Sequence, residues 1–204
     1  TTTPRNSSMT PGMIDDHFIA PPAAKARGGT GWIGSETWLL NVPFPPETPD
    51  EVGLSIGCAA HATSYQYPAF AEGMKKFVDE VHKAGSVAIV QLTQLTSAWG
   101  PSAVPMLGPQ SYTPHVLGEE EIEFCINVYA DAAEVAKAVG ADGIEMHCAH
   151  ETMGHSFLSP VSNRRTDKWG GGPQERIRFV VEVLKRIRAR IGDSLAIGIR
   201  MGAQ

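Results

Sequence analysis

Short apolar segments alternate with amphipathic helical patterns along this chain, and the alternation limits the possible folds more than any other feature. Four brief, mostly apolar segments have the character of buried parallel strands, and they cover residues 31–36, 87–92, 143–147 and 195–200. Between them, apolar residues recur at three- and four-residue spacing, which predicts helices over residues 70–81, 122–136 and 179–191. We therefore expect an α/β fold with a parallel sheet and right-handed crossovers.

A closed barrel and a doubly wound open sheet both fit this alternation. The barrel is favoured because the predicted strands end on reactive-looking polar residues and are followed by long loops rich in Pro and Gly, where barrel enzymes build their sites. A doubly wound dinucleotide fold needs its glycine fingerprint after the first strand. The glycine run at residues 28–31 precedes a strand instead. The predicted fold class is thus a (β/α)8 TIM barrel.

The length of the chain does not match a whole barrel. A complete (β/α)8 barrel needs roughly 250 residues, whereas this chain has 204 residues and four convincing strands. A partial barrel would leave sheet edges and core surface exposed. We expect the sequence to be a fragment that covers about strands 2 to 5, so that residues 1–204 form the N-terminal part of one barrel domain.

Composition narrows the class of protein further. The net charge of -5 and the pI of about 5.8 argue against nucleic-acid or membrane-surface binding, and the basic run at residues 185–190 has the pattern of a solvated helix face. No apolar run approaches the ~20 residues of a membrane span. Three widely spaced cysteines without a C-x-x-C pair (Cys58, Cys125, Cys148) indicate reduced thiols in a cytoplasmic protein.

Polar side chains are predicted to meet at one rim of the barrel. Because side chains alternate along a strand, Glu145 and His147 point into the barrel, as do Gln91 and Arg200 on their own strands. Arg200 is expected to be a buried or half-buried cation, which needs an anionic or strongly polar partner. An internal salt bridge to Glu145 or Glu36 and a ligand site remain open as explanations.

Other kinds of chemistry are less well supported by the sequence. His147, His150 and His155 lie close together, so a metal-dependent lyase or hydrolase stays open as an alternative from another class, although no carboxylate stands at matching spacing. A serine triad lacks its Gly-x-Ser-x-Gly elbow. A non-catalytic remnant is a third possibility for a partial barrel.

One segment resembles a known family over about twenty positions at fixed spacing. Residues 147–160 and 162–171 read HCAHETMGHSFLSP and SNRRTDKWGG. They resemble the fourth-strand signature of the Old Yellow Enzyme family, approximately H-G-A-H-G-Y-L-x-x-x-F-L-S-P-x-x-N-x-R-x-D-x-Y-G-G. The resemblance extends to the other three strands. The Lys168–Trp169 variant leans towards the branch that contains 2,4-dienoyl-CoA reductase and trimethylamine dehydrogenase.

The resemblance implies an FMN-dependent barrel oxidoreductase. Gln91 would hydrogen-bond the flavin pyrimidine edge, and Arg200 would lie near N1 and the C2 carbonyl, where a cation stabilises the charge of the reduced ring. Thr37 falls where the family usually has a small residue under the flavin. His147 and His150 match the pair that binds a substrate carbonyl oxygen. NAD(P)H is the implied electron donor, and the branch implies a 4Fe-4S cluster and FAD in a C-terminal part beyond this sequence.

Two departures from the family pattern bear on the expected activity. The family's proton-donating Tyr falls on Thr152, whose hydroxyl is too weakly acidic to act as a general acid; water, His155 or a residue outside this sequence would have to replace it. Hydride transfer to an activated alkene is the leading expectation, and an amine or alcohol dehydrogenase or demethylase is the alternative. Pro21 and Pro22 are expected to break the first helix. The implied partner is a small-molecule substrate, and a homo-oligomer is left open.

Overall fold

Strands and helices alternate in space as they do in the sequence. The computed structural model describes residues 14–40, 68–96, 99–105 and 113–202. The strands in chain order are β1 (Trp32–Leu39), β2 (Val87–Thr93), β3 (Trp99–Gly100), β4 (His115–Val116), β5 (Gly143–Cys148) and β6 (Ala196–Met201). The helices are α1 (Asp16–Arg27), α2 (Pro68–Lys83), α3 (Glu119–Ala138), α4 (Met153–Leu158), α5 (Pro173–Arg176) and α6 (Arg178–Ile191).

The four long strands form one parallel sheet in the order β1-β2-β5-β6. Each strand therefore pairs with the next long strand along the chain. A doubly wound sheet reverses its strand order at a switch point, and the long strands that the structure describes show no reversal. All four predicted strands and all three predicted helices are confirmed. The topology is that of consecutive strands of a (β/α)8 barrel.

The helices cover the sheet with an apolar layer. Alternate residues of β5, Ile144 and Met146, are buried as predicted, and α2 and α3 present buried apolar residues at helical spacing. Phe157 of α4 stacks on Phe179 of α6 with ring centroids 4.4 Å apart, and this contact connects the two helices. The face of the sheet that points away from the helices therefore carries the polar side chains of the rim.

The prediction that the two prolines break the first helix was wrong. Helix α1 runs from Asp16 to Arg27 with Pro21 and Pro22 inside it. Each proline removes one backbone donor, but the helix keeps its N-cap, where Asp15 accepts from the Phe18 amide at 3.1 Å. Its apolar face is buried, and Phe18 meets Phe77 of α2 edge to face at 5.8 Å. Burial of this face offsets the lost hydrogen bonds.

The basic run at residues 185–190 lies on α6 and joins it to α3. Arg186 contacts Glu123 at 3.0 Å, and Arg190 contacts Asp131 at 3.1 Å and Glu134 at 3.0 Å. These groups are partly exposed, so each pair contributes little to stability. The run is a helix face, as predicted, and its arginines also pair with the neighbouring helix.

Two of the cysteines are buried and free. Burial raises the pKa of both the Cys125 and the Cys148 thiol to about 12, so neither is a reactive thiolate near neutral pH. Cys58 lies outside the described residues. None of the helices in the described ranges is long and apolar enough to cross a membrane.

Candidate active site

The site is built on a row of side chains that crosses the sheet. Thr37, Gln91, Glu145 and Gly198 are register partners on four adjacent strands. Between β1 and β2 the register shifts after Gly34, and this irregularity brings Thr37 opposite Gln91. Because the strands are parallel, the row lies near their carboxyl ends, where barrel enzymes place their chemistry.

Hydrogen bonds connect three members of the row. The Thr37 hydroxyl donates to Gln91 Oε1, and Gln91 Nε2 donates to Glu145 Oε1 at 2.6 Å. Gln91 is buried and Glu145 is half-buried. Thr37 stands where the family usually has a small residue under the flavin, and its hydroxyl, which was expected to be able to reach the ring, is engaged with Gln91 instead. Sequence parity placed Glu145 on this face, but its bridging position between Gln91 and Arg200 required the structure.

Arg200 lies on β6 two residues after Gly198, next to the row. Its Nη1 lies 3.6 Å from Glu145 Oε1, so the predicted salt bridge to Glu145 is present; the side chain of Glu36 is not among those described. Arg200 is a half-buried cation, within the predicted range, since 43% of its side chain is exposed. The exposed fraction is this large because β6 is an edge strand of the described sheet, with mostly exposed residues.

Two histidines stand directly beyond this row, at the end of β5. His147 pairs in register with Arg200 and is buried, whereas His150 is exposed. His150 Nδ1 lies 3.3 Å from His147 Nε2, and the two rings meet edge to face with centroids 5.2 Å apart. Two imidazole N–H groups so close together can donate hydrogen bonds to one oxygen atom of a ligand.

Thr152 and His155 hold the turn that carries the histidines. Thr152 is buried, and its hydroxyl donates to the His147 carbonyl at 2.7 Å. His155 Nδ1 accepts from the Glu151 amide at 3.1 Å. The loop after β2 supports the same turn, because the Thr96 hydroxyl donates to the Glu151 carbonyl and the Met153 amide donates to the Gln94 carbonyl. Both Thr152 and His155 therefore bond to the turn's own backbone.

The turn itself is conformationally strained. His150 and Glu151 are consecutive residues in the left-handed region, with φ of 53° and 60°. Residues with a Cβ adopt this region at a cost of roughly 1–2 kcal/mol each, and such strain is concentrated at functional sites. The family pattern has Gly at the second of these positions, which would remove that cost.

Glu151→Gly is accordingly expected to stabilise the protein by roughly 0.5–1 kcal/mol. Relief of the positive φ exceeds the extra backbone entropy that glycine loses on folding, which is about 0.5–1 kcal/mol. Within the described residues, Glu151 takes part in the hydrogen bonds of the turn through its backbone and not through its side chain. Urea unfolding measures the change, and Lys76→Gly on the exposed face of α2 is the matched control, expected to lose about 1 kcal/mol. Equal losses in both variants would contradict the strain argument.

Metal binding by this histidine cluster finds no structural support. Within residues 14–40, 68–96, 99–105 and 113–202, no group of three or more His, Cys, Asp or Glu side chains is placed to hold a metal ion. His155, the third histidine of the sequence prediction, faces the backbone of Glu151 instead.

The second half of the family signature clamps the loops around the site. Asn163 Nδ2 donates to the carbonyls of Phe157 and Trp169, each at 2.8 Å. Gly170 packs so closely that a Cβ there would lie 2.5 Å from Arg165 Cβ and 2.6 Å from Asn163 Oδ1. These signature residues are therefore structural, and they fix the loop that follows the histidines.

The fold defines a partial β/α-barrel whose polar rim lies at the carboxyl ends of its strands. The chain belongs to the NADH:flavin oxidoreductase / NADH oxidase family, whose model matches residues 69–204. This membership confirms the Old Yellow Enzyme resemblance and replaces the metal-dependent alternative.

Known relatives extend the match beyond those residues. The chain is 34% identical over 203 residues to an NADH oxidase of Thermoanaerobacter brockii, which covers 94% of this chain and 29% of the relative. It is 32% identical over 201 residues to an N,N-dimethylglycine/sarcosine dehydrogenase of Chromohalobacter salexigens, covering 93% and 27%. A solved 2-naphthoyl-CoA reductase complex superposes with a TM-score of 0.78 at 25% identity, covering 93% and 30%. The chain thus spans less than a third of each of these proteins.

Proposed function

We propose that residues 1–204 form the N-terminal part of an FMN-binding (β/α)8 barrel domain, and that the whole protein is an FMN-dependent oxidoreductase. Bound FMN would take up hydride from NAD(P)H and pass it to an activated alkene or related small molecule. The observation that carries the proposal is the joint placement of the His147–His150 pair, the row and Arg200 on one rim. Family membership supports the flavin and the nicotinamide donor.

The donor set of the row fits a flavin pyrimidine edge. Such an edge carries carbonyl oxygens and ring nitrogens, and it gains negative charge when the ring is reduced. Gln91 offers a side-chain amide fixed on both sides, and Arg200 offers an exposed guanidinium with several N–H donors. Gly198 has no side chain, so the row leaves space beside Arg200 on the same face.

The histidine pair would bind the substrate. His147 Nε2 and His150 Nδ1 are both donors to a single carbonyl oxygen when they give up the contact between them. Two donors at one oxygen polarise a carbonyl group and stabilise charge that develops on it. Because His147 is buried and His150 is exposed, the bound oxygen would lie at the boundary between barrel and solvent.

An amine or alcohol dehydrogenase or demethylase is the second candidate function. The observation that favours it is the hydrogen bond from the Thr152 hydroxyl to the His147 carbonyl, because the group at the family's proton-donor position points into the turn. Removal of hydride from an amine needs no such donor. The match to a dimethylglycine/sarcosine dehydrogenase agrees with this candidate. A 4Fe-4S cluster and FAD outside this sequence, a cytoplasmic location and assembly as a homo-oligomer remain part of the proposal.

Flavin content and half-reactions test the two functions on the intact natural protein. Stoichiometric FMN, its anaerobic bleaching by NADH or NADPH, and its reoxidation by 2-cyclohexenone would support alkene reduction. Bleaching by sarcosine or dimethylglycine, with slow or no bleaching by the nicotinamides, would instead support the dehydrogenase. A protein that neither contains nor binds FMN would rule out both.

Thr152→Val tests whether the hydroxyl acts in structure or in proton transfer. Valine keeps the shape of the side chain but leaves the buried His147 carbonyl without this donor, so we expect a loss of about 1–2 kcal/mol in stability. We expect no change in the pH dependence of alkene reduction. Thermal unfolding and a pH–rate profile measure the two effects, with Thr166→Val at an exposed position as control. A changed pH–rate profile at unchanged stability would make Thr152 a proton-transfer residue.

A further inference from the structure

Glu145 occupies the centre of the row, between the two side chains expected to bind the flavin. Its register partner on β2 is Gln91 and on β6 is Gly198, two residues before Arg200. A single oxygen, Glu145 Oε1, accepts from Gln91 Nε2 at 2.6 Å and lies 3.6 Å from Arg200 Nη1. The exposed fraction of the Glu145 side chain is 19%, less than half that of Arg200. The carboxylate thus lies deeper in the rim than the cation it faces.

This contact fixes which way the Gln91 amide points. An ionised carboxylate only accepts hydrogen bonds, so the Gln91 NH2 group must face Glu145 and its oxygen must face β1. The Thr37 hydroxyl donates to that oxygen, which agrees with the same orientation. Each end of the amide is therefore held by a neighbouring strand, and the second N–H of Nε2 remains to be offered to a ligand.

The same carboxylate offsets the charge of Arg200. A guanidinium beside the pyrimidine edge favours the reduced flavin, because reduction adds negative charge there. A carboxylate 3.6 Å from the guanidinium opposes this effect, and its lower exposure limits screening by solvent. The net field on the ring is then the difference between the two charges.

We propose that Glu145 is a positioning residue that orients Gln91 and lowers the reduction potential of the bound flavin by offsetting Arg200. The inference rests on the proposed FMN site, and Glu145 itself need not touch the flavin. Its influence passes through the amide of Gln91 and through the field of its own charge, which opposes that of Arg200 at the ring.

Glu145→Gln tests the charge while keeping the shape of the side chain. We expect the intact FMN-loaded variant to bind reduced FMN about tenfold more tightly, relative to oxidised FMN, than wild type does. For a two-electron couple this ratio equals a positive shift of about 30 mV in the midpoint potential. Redox titration against a reference dye measures the potential, and FMN dissociation constants in both redox states provide a readout that does not depend on activity.

Three further variants separate this role from a merely structural one. Glu145→Asp retains the charge and should keep the ratio of dissociation constants within about threefold of wild type. Glu120→Gln removes a carboxylate from the exposed start of α3 and should leave the ratio unchanged. In an Arg200→Gln background the potential should start lower, and Glu145→Gln should still raise it, because the fields of the two charges at the ring add.

Each outcome decides between the proposals. An unchanged potential in Glu145→Gln with FMN still bound overturns the inference and leaves the proposed function in place. Equal potentials in Arg200→Gln and wild type also overturn it, because the guanidinium would then exert no field for Glu145 to offset. If Glu145→Gln fails to hold FMN, the Glu145→Asp variant decides, because loss of the wild-type potential in that charged variant contradicts a charge effect. A wild-type protein that binds no FMN overturns both proposals.

Discussion

His150→Ala is expected to lower kcat/KM for alkene reduction by about 10²–10³ while FMN remains bound. The loss is that of one of two donors at a carbonyl oxygen, and removal of one such donor costs about this much. His150 is exposed, so truncation leaves no buried cavity, and its Nδ1 lies 3.3 Å from His147 Nε2. Steady-state kinetics with an activated alkene, together with flavin absorbance, measures both quantities.

His150→Asn is the conservative variant for the same position. Its side-chain NH2 group keeps a donor close to the place of Nδ1, and asparagine tolerates the left-handed backbone that His150 adopts at φ 53°. We expect it to recover most of the activity. His82→Ala is the matched control, since His82 pairs with Asp142 below the start of β5, at the opposite end of the strands. Full activity in His150→Ala with normal flavin content would remove His150 from the substrate site.

The strands could be predicted from sequence because their signal is local. Apolar runs, glycine-bearing turns and helical spacing fixed the order of the long elements, and strand parity correctly placed Glu145 on the face of His147. The shift in register between Gly34 and Thr37 is not visible in an alternation pattern. The strands β3 and β4 are also not visible in such a pattern, because each has two residues and they pair with each other across the intervening chain.

Errors arose where tertiary packing overrides a local rule. Pro21 and Pro22 are unfavourable inside a helix, yet α1 continues because its apolar face is buried against α2. The 43% exposure of the Arg200 side chain could not be predicted from its place in a strand, because exposure depends on the neighbours of that strand, and β6 has one neighbour in the described sheet. The left-handed turn at His150 and Glu151 likewise depends on hydrogen bonds from the loop after β2.

The family signature shows that the prediction of function from sequence is limited in the same way. By resemblance, the whole signature at residues 147–171 is one functional motif, but the structure divides the signature into two parts. The histidine end faces the open rim, whereas Asn163, Arg165 and Gly170 are engaged with backbone and with one another. Resemblance alone could not separate residues that contact a substrate from residues that hold the loop.

Arg165→Ala is expected to destabilise the loops around the site by about 3 kcal/mol. Arg165 Nη1 donates to the carbonyls of Pro101 at 3.1 Å and Leu117 at 2.7 Å, and Nη2 contacts Asp167 at 2.6 Å. Its side chain is 13% exposed. Charged hydrogen bonds of this kind contribute about 1.5–3 kcal/mol each, and the half-exposed Asp167 pair adds little.

Arg164→Ala is the matched control, because the neighbouring arginine is exposed and its guanidinium donates to the Val161 carbonyl. We expect its loss to stay below about 1 kcal/mol. Arg165→Lys should recover less than half of the lost stability, since an ammonium cannot reproduce the planar set of donors. Urea unfolding compares the three variants, and similar losses in Arg164→Ala and Arg165→Ala would contradict the assigned clamp.

Acid titration gives the Arg165 prediction a second readout. The hydrogen bond from Arg165 holds the pKa of the Asp167 carboxyl below its usual value of 3.8. A depressed pKa in the folded state means that the stabilisation is complete above the unfolded pKa and is lost as the pH falls through the folded one. Arg165→Ala brings the folded and unfolded pKa values closer, so its stability should fall less than that of wild type below pH ~4. Parallel acid-unfolding curves for the two proteins would show that Asp167 does not depend on Arg165.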